Sequence, residues 1–470
     1  MRELPTSRSL WAAVVVAMLV RLPFVFTGLS TDEGGYAYVA RRWADGDRLY
    51  DTAWLDRPQG LLLTYRALLA IDGSGWTIRA GMVLAGAVLT VAVAAIAWLL
   101  VGRAAGLAAA WIYAIAGLAP HLEGMTFNGE LLASVPSTVA IALAVYWWRR
   151  EKSWWWLAGA GLLAGAALTM KQSGIDGLVV GVVLLVFLRR WSALLVFGAA
   201  AVVPLAASAL HGLLTGWSFY WTALIGYQLD AMGGEGSNAS TRWTDLGRHA
   251  GDIALDVTLI LLVSLLGWRR LDRGGRWILG GWLLAGFLGI NLGGSYWPHY
   301  FVQPYPALVV LAAAAVTGLH VAWRRWALGA VLVLPTLVWL AALVPMPAQR
   351  RAETIPYDAL ARRDDRIAAV IGASTAPGDR IYVLESEAYL YFAADRVSPY
   401  RYLWGKPIDK IPEALPELRA MLASPERPEL VLLDTPPAAV DPSGGIAADL
   451  AVYYRPETTV EGVPILRAVR

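Results

Sequence analysis

Two adjacent carboxylates, Asp32 and Glu33, follow directly after the first long apolar segment of the chain, residues 10–28. Acidic residues suit the first turn of a helix, where they interact favourably with the helix dipole. A rigid helix start is also a place to hold a general base that removes a proton from an acceptor hydroxyl. We therefore predict that this pair is catalytic, with one carboxylate as the base and the other orienting the acceptor.

Two cations occupy positions that suit phosphate binding. Lys171 follows the apolar segment 154–170, and a cation at such a boundary either snorkels towards water or pairs with an anionic group such as a lipid phosphate. Arg57 lies in an Asp-Arg-Pro step that is typical of a capped helix start. Its planar guanidinium also suits bidentate contact with phosphate. Both cations are therefore candidate phosphate ligands, with Asp56 and Gln172 beside them.

Further polar side chains lie close to the ends of apolar segments. Asn128 and Glu130 precede the segment 131–148, where they are either solvated or able to bind sugar hydroxyls. His299 and Gln303 are four residues apart, which places them on one face of a helix, where they could line a polar site. His299 could equally cap that helix. These residues form a second group of candidate substrate contacts.

One arginine lies inside an apolar segment. Arg21 stands about two-thirds of the way through residues 10–28. A charge at that depth in a bilayer is costly unless it faces protein or water. Arg21 therefore predicts a polar cavity that opens outward.

The chain offers few of the residues from which transition-metal sites are made. It contains no cysteine, and its five histidines are scattered without an HExxH or similar spacing. We therefore predict no metal and no other cofactor, although a divalent ion held by carboxylates remains compatible with the sequence. No feature of the sequence predicts binding to nucleic acid.

The composition places the chain among membrane proteins. Hydrophobic residues make up 57% of it and charged residues only 16%, against about a quarter in soluble domains. A spanning helix needs about 20 mostly apolar residues, and on that criterion we count about eleven spans. Their approximate cores are residues 10–28, 79–101, 104–120, 131–148, 154–170, 175–188, 191–211, 251–268, 276–293, 300–322 and 326–345.

The distribution of Lys and Arg predicts how these spans are oriented. Six basic clusters fall on one side of the membrane if the N-terminus is cytoplasmic, as the positive-inside rule requires. They are Arg8, Arg103, Arg149-Arg150 with Lys152, Arg189-Arg190, the group from Arg269 to Arg276, and Arg324-Arg325. The opposite side then receives residues 29–78, 121–130, 171–174, 212–250, 294–299 and everything after 346. These outer connections contain nearly all of the candidate residues, Lys171 among them.

The outer connections contain predicted structure of their own. In the first outer loop, residues 29–78, apolar residues recur at helical spacing from 32 to 44, and a second helix is predicted from Pro58. After residue 346 no spanning segment returns. Predicted helices at 358–373 and 411–423 alternate with short strands at 380–384, 429–433 and 464–469, which is typical of a small α/β domain.

The predicted organisation is therefore a polytopic α-helical membrane domain, residues 1–345, followed by an extracytoplasmic α/β domain, residues 346–470. The aromatic and basic stretch 400–404 could contact an acceptor or dock the second domain on the first, and we favour docking. The expected location is the cytoplasmic membrane.

In the order of its motifs the chain resembles the multi-span glycosyltransferases that use polyprenyl-phosphate sugars. This is the GT-C class, which includes protein O-mannosyltransferases and the bacterial aminoarabinose transferases that act on lipid A. The resemblance rests on Asp32-Glu33 with Tyr36, Arg57-Pro58, Asn128 with Glu130, Lys171-Gln172, and His299-Tyr300 with Gln303, followed by an α/β tail. Their order on one membrane face is more specific than any single motif.

The resemblance implies a role for each motif. Asp32 would be the general base, Glu33 its partner for acceptor binding, and Lys171 and Arg57 the ligands of the donor phosphate. The other polar residues would contact substrate: Tyr36, Asp56, Asn128, Glu130, Gln172, His299, Tyr300 and Gln303. The implied reaction is a single displacement with inversion at the anomeric carbon. The implied partners are a polyprenyl-phosphate sugar, membrane lipids, and a glycan, lipid or protein acceptor.

This sequence departs from the family pattern in two respects. Arg57 stands where a lysine is common, and the α/β tail is shorter than in some relatives. Both differences leave the sugar and the acceptor open.

Three other functions fit parts of the sequence. A ligase that uses a diphosphate-linked glycan would share the membrane setting and differ in its donor. A lipid or sugar transporter would fit the many spans, but paired broken spans of the inverted-repeat kind are not evident. A scaffold in envelope assembly would use the tail as a binding module and would be indifferent to the loss of Asp32.

Overall fold

The computed structural model of the chain describes residues 8–233, 239–293, 295–385 and 388–469. Up to residue 343 the described chain is built from helices. In order these are α1 (Arg8–Leu19), α2 (Thr31–Ala44), α3 (Gln59–Asp72), α4 (Gly75–Leu100), α5 (Arg103–Ala116), α6 (Gly129–Arg150), α7 (Trp154–Met170), α8 (Asp176–Phe187), α9 (Trp191–Thr215), α10 (Trp217–Trp221), α11 (Tyr227–Gly233), α12 (Ala239–Trp268), α13 (Arg273–Gly293), α14 (Tyr305–Gly318) and α15 (Ala322–Leu343).

Among the described residues, five helices are long and apolar enough to cross a membrane. They are α4, α6, α9, α12 from Ser240 onward, and α15. Shorter apolar helices, α5, α7, α8 and α14, lie between them. The chain is therefore a multi-pass membrane protein, as its composition predicts.

Two predicted spans are broken by proline, so they are not single α-helices. The first, residues 10–28, divides into α1 and a 3-10 turn at Leu22–Phe24 that contains a proline. The segment predicted at 300–322 begins as a 3-10 turn, Pro298–Val302, and becomes α14 only at Tyr305, after Pro304. A proline lies at each break, and its missing N–H removes one hydrogen bond that an α-helix would make there.

The first outer loop folds into the two predicted helices, α2 and α3. Helix α2 begins with a capping box, in which the Ser30 side chain accepts from Glu33 N and the Glu33 side chain accepts from Ser30 N. Helix α3 begins at Gln59, directly after Pro58, and ends at Gly73, whose φ of 78° suits a glycine. The predicted helix at 32–44 is thus confirmed.

Close packing against α9 positions α7, the helix that ends just before Lys171. Cβ atoms at Gly161 and Gly165 would lie 2.2 Å from Phe197 O and 2.1 Å from Ala201 O, so only glycine fits at this crossing. Small residues four apart allow membrane helices to approach at the backbone. The position of the α7 C-terminus is therefore set by backbone packing.

The last quarter of the chain contains short helices and one mixed sheet. The helices are α16 (Ala348–Thr354), α17 (Pro356–Ser374), α18 (Tyr389–Ala394), α19 (Gly405–Lys410), α20 (Ala414–Ala423), α21 (Pro437–Val440) and α22 (Gly445–Tyr453). The strands are β1 (Ile381–Val383), β2 (Leu430–Leu432), β3 (Tyr454–Val460) and β4 (Val463–Ala468).

The four strands pair in the order β1-β2-β4-β3. Strands β1 and β2 are parallel, with Tyr382 opposite Val431, and the other two pairs are antiparallel. The three predicted strands are therefore present. Strand β3 was not predicted, since its run of exposed residues lacks the apolar alternation of a half-buried strand.

The stretch 400–404 packs against the first outer loop, as the docking interpretation predicts. Tyr402 meets Trp54 edge to face at 5.1 Å between ring centroids. Trp404 lies 6.4 Å from Tyr36 and covers Gly35, where a Cβ would come within 2.3 Å of its ring. The last quarter of the chain is thus held directly over α2.

Candidate active site

Asp32 lies in the first turn of α2 and is half-buried. The Tyr36 hydroxyl, one turn further along, donates to Asp32 Oδ2 at 3.4 Å. Burial raises the pKa of Tyr36 well above its usual value, so the phenol keeps its proton and remains a donor. Asp32 and Tyr36 therefore meet as the sequence predicts, with one Asp32 oxygen oriented by the phenol.

Glu33, in contrast, turns away from Asp32 into the protein. Its Oε1 accepts from Phe127 N at 2.7 Å and its Oε2 accepts from Ser30 N at 2.9 Å. The same Oε2 lies 2.9 Å from Arg79 Nη2, and both of these side chains are fully buried. These contacts give Glu33 a positioning role, and its predicted contact with the acceptor stays a prediction.

Arg79 connects three separate parts of the chain. Besides Glu33, its guanidinium donates to Met125 O at 2.7 Å and to Gly28 O at 2.5 Å. It also lies over the Tyr357 ring, 4.6 Å from the centroid. Arg79 thus ties the start of α2 to the loop before α6 and to the last quarter of the chain.

Arg57 forms an ion pair with its neighbour Asp56. Asp56 Oδ2 also accepts from Gln228 Nε2 at 2.9 Å, and Gln172 Nε2 donates to the Asp56 backbone carbonyl at 2.8 Å. The predicted residues Asp56, Arg57 and Gln172 are therefore brought together, although they are distant in sequence. Gln228, on α11, is a member of this group that the sequence did not indicate.

Lys171 forms an ion pair with Glu130 across 41 residues of sequence. His299 Nε2 lies 3.8 Å from Glu130 Oε1, and His299 Nδ1 lies 3.1 Å from Glu123 Oε2. The Lys171 ammonium also lies 4.7 Å from the centroid of the Tyr300 ring. Four of the predicted residues thus form one partly buried charged cluster, together with Glu123.

These two ion pairs and Asp32 belong to a single site. Arg57 is close enough to interact electrostatically with both Asp32 and Tyr300. Lys171 interacts with Asp32, with Arg57 and with Glu130. Two cations therefore converge near the half-buried carboxylate of Asp32, and each is balanced by an acidic partner of its own, Asp56 or Glu130.

Asn128 caps the helix that carries Glu130. Its Oδ1 accepts from Leu131 N at 3.1 Å, and its Nδ2 donates to Thr126 Oγ1 at 3.0 Å. Asn128 and Glu130 are both buried, so the interpretation that they are solvated is wrong. The packing of the loop 123–128 against Glu33 encloses them. Binding of a sugar by Asn128 stays a prediction.

Gln303 lies beside the site without joining the charged cluster. Its Nε2 donates to Asp176 Oδ2 and to Ser173 O, both at 2.6 Å. The prediction that His299 and Gln303 share an α-helical face is wrong, because the segment Pro298–Val302 is a 3-10 turn with a different period. Gln303 instead holds the turn that follows Lys171 and Gln172.

Arg21 does not open a polar cavity. It is buried, and its Nη1 donates to Ala17 O at 2.9 Å and to Ala114 O at 3.1 Å. The guanidinium packs so tightly against α4 that a Cβ at Gly86 would lie 2.4 Å from its Nε. The prediction of a cavity at Arg21 is wrong, since backbone carbonyls solvate the charge instead of water.

Four residues of the site were missed by the sequence reasoning: Arg79, Glu123, Asp176 and Gln228. Arg79 had a signal of its own, because it is a charged residue at the start of a predicted span. Glu123, Asp176 and Gln228 carry no sequence pattern that distinguishes them from other polar residues. In the described ranges, no group of three or more His, Cys, Asp or Glu side chains could hold a metal ion.

The fold is shared with solved membrane enzymes. ArnT from Cupriavidus metallidurans bound to undecaprenyl phosphate superposes with a TM-score of 0.68 at 15% identity, covering 98% of this chain and 97% of that one. Its apo state gives a TM-score of 0.65 at 14% identity, with coverage of 98% and 97%.

A second solved protein is similar over less of its length. The oligosaccharyltransferase of Archaeoglobus fulgidus, in complex with Zn and sulfate, gives a TM-score of 0.58 at 13% identity. The match covers 90% of this chain and 67% of that chain. No family model matches the sequence, and no curated protein does. The chain thus shares the fold of ArnT over nearly its whole length, and this is the fold that the resemblance to GT-C glycosyltransferases implies.

Proposed function

We propose that this protein is an inverting glycosyltransferase that moves a sugar from a polyprenyl-monophosphate donor to an acceptor hydroxyl. The observation that carries the proposal is that Asp32 lies within electrostatic range of two cations, Arg57 and Lys171. The similarity in fold to a protein crystallised with undecaprenyl phosphate supports the choice of donor. The sugar and the acceptor are not specified by these observations.

Asp32 acts as the general base. It takes the proton of the acceptor hydroxyl as the oxygen attacks the anomeric carbon from the face opposite the phosphate. The bond between the anomeric carbon and the phosphate oxygen breaks, and its electron pair stays with the polyprenyl phosphate. One displacement inverts the configuration at carbon. The hydrogen bond from Tyr36 leaves the second Asp32 oxygen available for the acceptor.

Arg57 and Lys171 stabilise the leaving group. The donor phosphodiester carries one negative charge and the departing phosphomonoester carries more, so cations at this place bind the transition state better than the ground state. In the structure each cation is paired with a carboxylate, Arg57 with Asp56 and Lys171 with Glu130. Donor binding therefore exchanges carboxylate contacts for phosphate contacts. No protonating acid is needed.

The remaining site residues position these groups or contact substrate. Glu33 and Arg79 hold the start of α2, and Asn128 holds the start of α6. Gln172, Tyr300 and His299 line the region around the two cations, where they contact the donor. Gln303 supports the turn after Lys171 through Ser173.

The proposed setting is the cytoplasmic membrane. In this proposal residues 1–345 contain about eleven membrane segments, the N-terminus is cytoplasmic and the site faces outward, because the Lys and Arg clusters then share the cytoplasmic side. Residues 346–470 form the extracytoplasmic α/β domain, docked on the first outer loop through Tyr402 and Trp404. The reaction as proposed needs neither a metal nor another cofactor.

The test is sugar release from synthetic polyprenyl-monophosphate sugars by purified protein. Asp32→Asn is compared with Asp45→Asn, which changes an exposed carboxylate at the other end of α2. We expect turnover in the wild type and in Asp45→Asn, and its loss in Asp32→Asn. Turnover unchanged by Asp32→Asn would refute the assigned base. Absence of both turnover and donor binding would favour a transporter or a scaffold.

A diphosphate-linked glycan ligase is the second candidate. The similarity in fold to an oligosaccharyltransferase favours it. Parallel assays with monophosphate-linked and diphosphate-linked donors carrying the same sugar separate the two functions, because each enzyme consumes only its own donor class. Consumption of the diphosphate donor alone would establish the ligase and refute our first proposal.

A further inference from the structure

A cavity of about 270 Å³ lies between the end of the first membrane segment and the last quarter of the chain. Residues 25–29 and 75–76 form one wall, and residues of α17 and α18 form the other. Gly34, on α2, faces Tyr389 of the cavity wall, since a Cβ there would lie 2.5 Å from that ring. The cavity therefore adjoins the start of α2 but is distinct from the cluster around Lys171.

Four aromatic side chains line this cavity: Phe26, Trp76, Tyr389 and Phe392. Two of them are fixed by acidic residues. The Trp76 indole N–H donates to Asp72 Oδ2 at 2.6 Å, and the Tyr389 hydroxyl donates to Asp365 Oδ1 at 2.7 Å. With its N–H engaged by Asp72, Trp76 presents an oriented ring, and it is 40% exposed. The aromatic surfaces are thus arranged before any ligand binds.

Three charged side chains line the same cavity. Asp358 is buried, and its two oxygens accept from Gly28 N at 2.7 Å and from Arg362 Nε at 3.2 Å. Arg362 is 37% exposed, and Asp365 is exposed. The two carboxylates outnumber the guanidinium, so the cavity repels an anionic ligand. The guanidinium in turn repels a cation. A neutral ligand with many hydroxyl groups satisfies donors and acceptors of both kinds.

We propose that this cavity binds a sugar ring of the acceptor. The inference rests on the proposed glycosyl transfer and specifies its acceptor as a saccharide or glycolipid. The exposed Asp365 carboxylate and the Arg362 guanidinium pair with hydroxyl groups, and the ring of Trp76 packs against the apolar face of the sugar. The volume suits one ring, since it is slightly below the range of cavities that hold drug-sized ligands.

The ring bound here is not the one that receives the new sugar. Gly28, in the cavity wall, and Asp32 are four residues apart, so their Cα atoms are separated by at most about 14 Å. A short saccharide passing around the N-terminus of α2 can join the two places. The cavity would therefore select acceptors that extend at least one ring beyond the reacting one.

Saturation-transfer NMR on the full-length protein tests this inference. The probes are the methyl glycosides of glucose, galactose, mannose and N-acetylglucosamine, with inorganic phosphate as a competitor. The protein is held in lipid nanodiscs, because glycoside detergents would occupy a saccharide site. We expect saturation transfer from the wild-type protein to at least one glycoside. Phosphate should not displace that glycoside. Trp76→Ala should weaken that binding about tenfold, since it removes an aromatic contact.

The matched control is Trp156→Ala, which removes a tryptophan of similar exposure, 42%, from α7. It should bind the probes as the wild type does. Asp365→Asn is the second cavity variant and removes an exposed charge without reducing side-chain volume. Absence of transfer to every glycoside would overturn the inference. Equal binding by wild type and both cavity variants, or displacement by phosphate, would overturn it as well.

The two proposals fail in different experiments. Release of sugar from the donor by wild-type protein, with no glycoside binding, would overturn only the acceptor site. Glycoside binding that is lost in Trp76→Ala, with no consumption of any donor, would support the cavity as a saccharide site and refute glycosyl transfer.

Discussion

Arg79 Nη2 lies 2.9 Å from Glu33 Oε2, and neither side chain is exposed to solvent. The pair lies immediately below the turn that carries Asp32. Because Arg79 also bonds Gly28 O and Met125 O, it fixes both the chain just before α2 and the loop before α6. The geometry of the candidate base thus depends on a fully buried ion pair.

Arg79→Met should destabilise the protein strongly. It leaves the Glu33 carboxylate buried without its cation, which typically costs about 3–5 kcal/mol. The double variant Arg79→Met/Glu33→Met should recover part of this loss, since it removes both charges. Thermal unfolding of the purified protein measures the effect. Arg103→Met, which changes an exposed arginine, is the control. An equal loss of stability in Arg79→Met and Arg103→Met would contradict the prediction.

Lys171→Met should weaken donor binding. Losing a charged hydrogen bond to the phosphate costs about 2 kcal/mol, roughly a 30-fold rise in the dissociation constant. Lys171→Arg should retain part of the affinity, because it keeps the charge in a different geometry. Titration with a polyprenyl-monophosphate sugar measures both. Lys152→Met, at the opposite end of α7, should bind as the wild type does, and equal affinity in Lys171→Met would refute the phosphate contact.

Gly34→Ala should disturb the junction between α2 and α18. A Cβ at Gly34 would lie 2.5 Å from Tyr389 Cδ2 and 2.7 Å from its Cα, so relief requires backbone movement. Overpacking of this kind costs about 1–3 kcal/mol. We expect a lower melting temperature and slower donor hydrolysis. Gly372→Ala on α17, where a Cβ meets open space, should lower neither, and a neutral Gly34→Ala would show that the two segments are not in contact.

The protonation of His299 should give donor hydrolysis a limb at alkaline pH. Burial lowers the pKa of His299, but the carboxylates of Glu130 and Glu123 more than offset this and raise it above the usual value. Because its pKa is raised, His299 stays protonated up to a higher pH. The protonated imidazolium attracts the phosphate. Glu123→Gln removes one of these carboxylates and should shift the limb to lower pH. A limb that is unchanged in the pH–rate profile would refute a role for this proton.

Features that are local in the sequence already determine much of the architecture. Apolar runs of spanning length and the placement of arginines predict the membrane helices, since insertion depends on composition along the chain. The capped helix that begins before Asp32 is likewise local, because Ser30 and Glu33 are only three residues apart. The order of polar motifs on one face sufficed to indicate the class of fold.

The partners of each charge were decided only by the tertiary structure. Lys171 and Glu130 are 41 residues apart, and Glu33 and Arg79 are separated by 46, so their pairing depends on how the helices pack. Arg21 was misjudged for the same reason, because the carbonyl of Ala114 that solvates it comes from another helix. A sequence shows which charges must be neutralised near a membrane, but the neutralising group is chosen by packing in three dimensions.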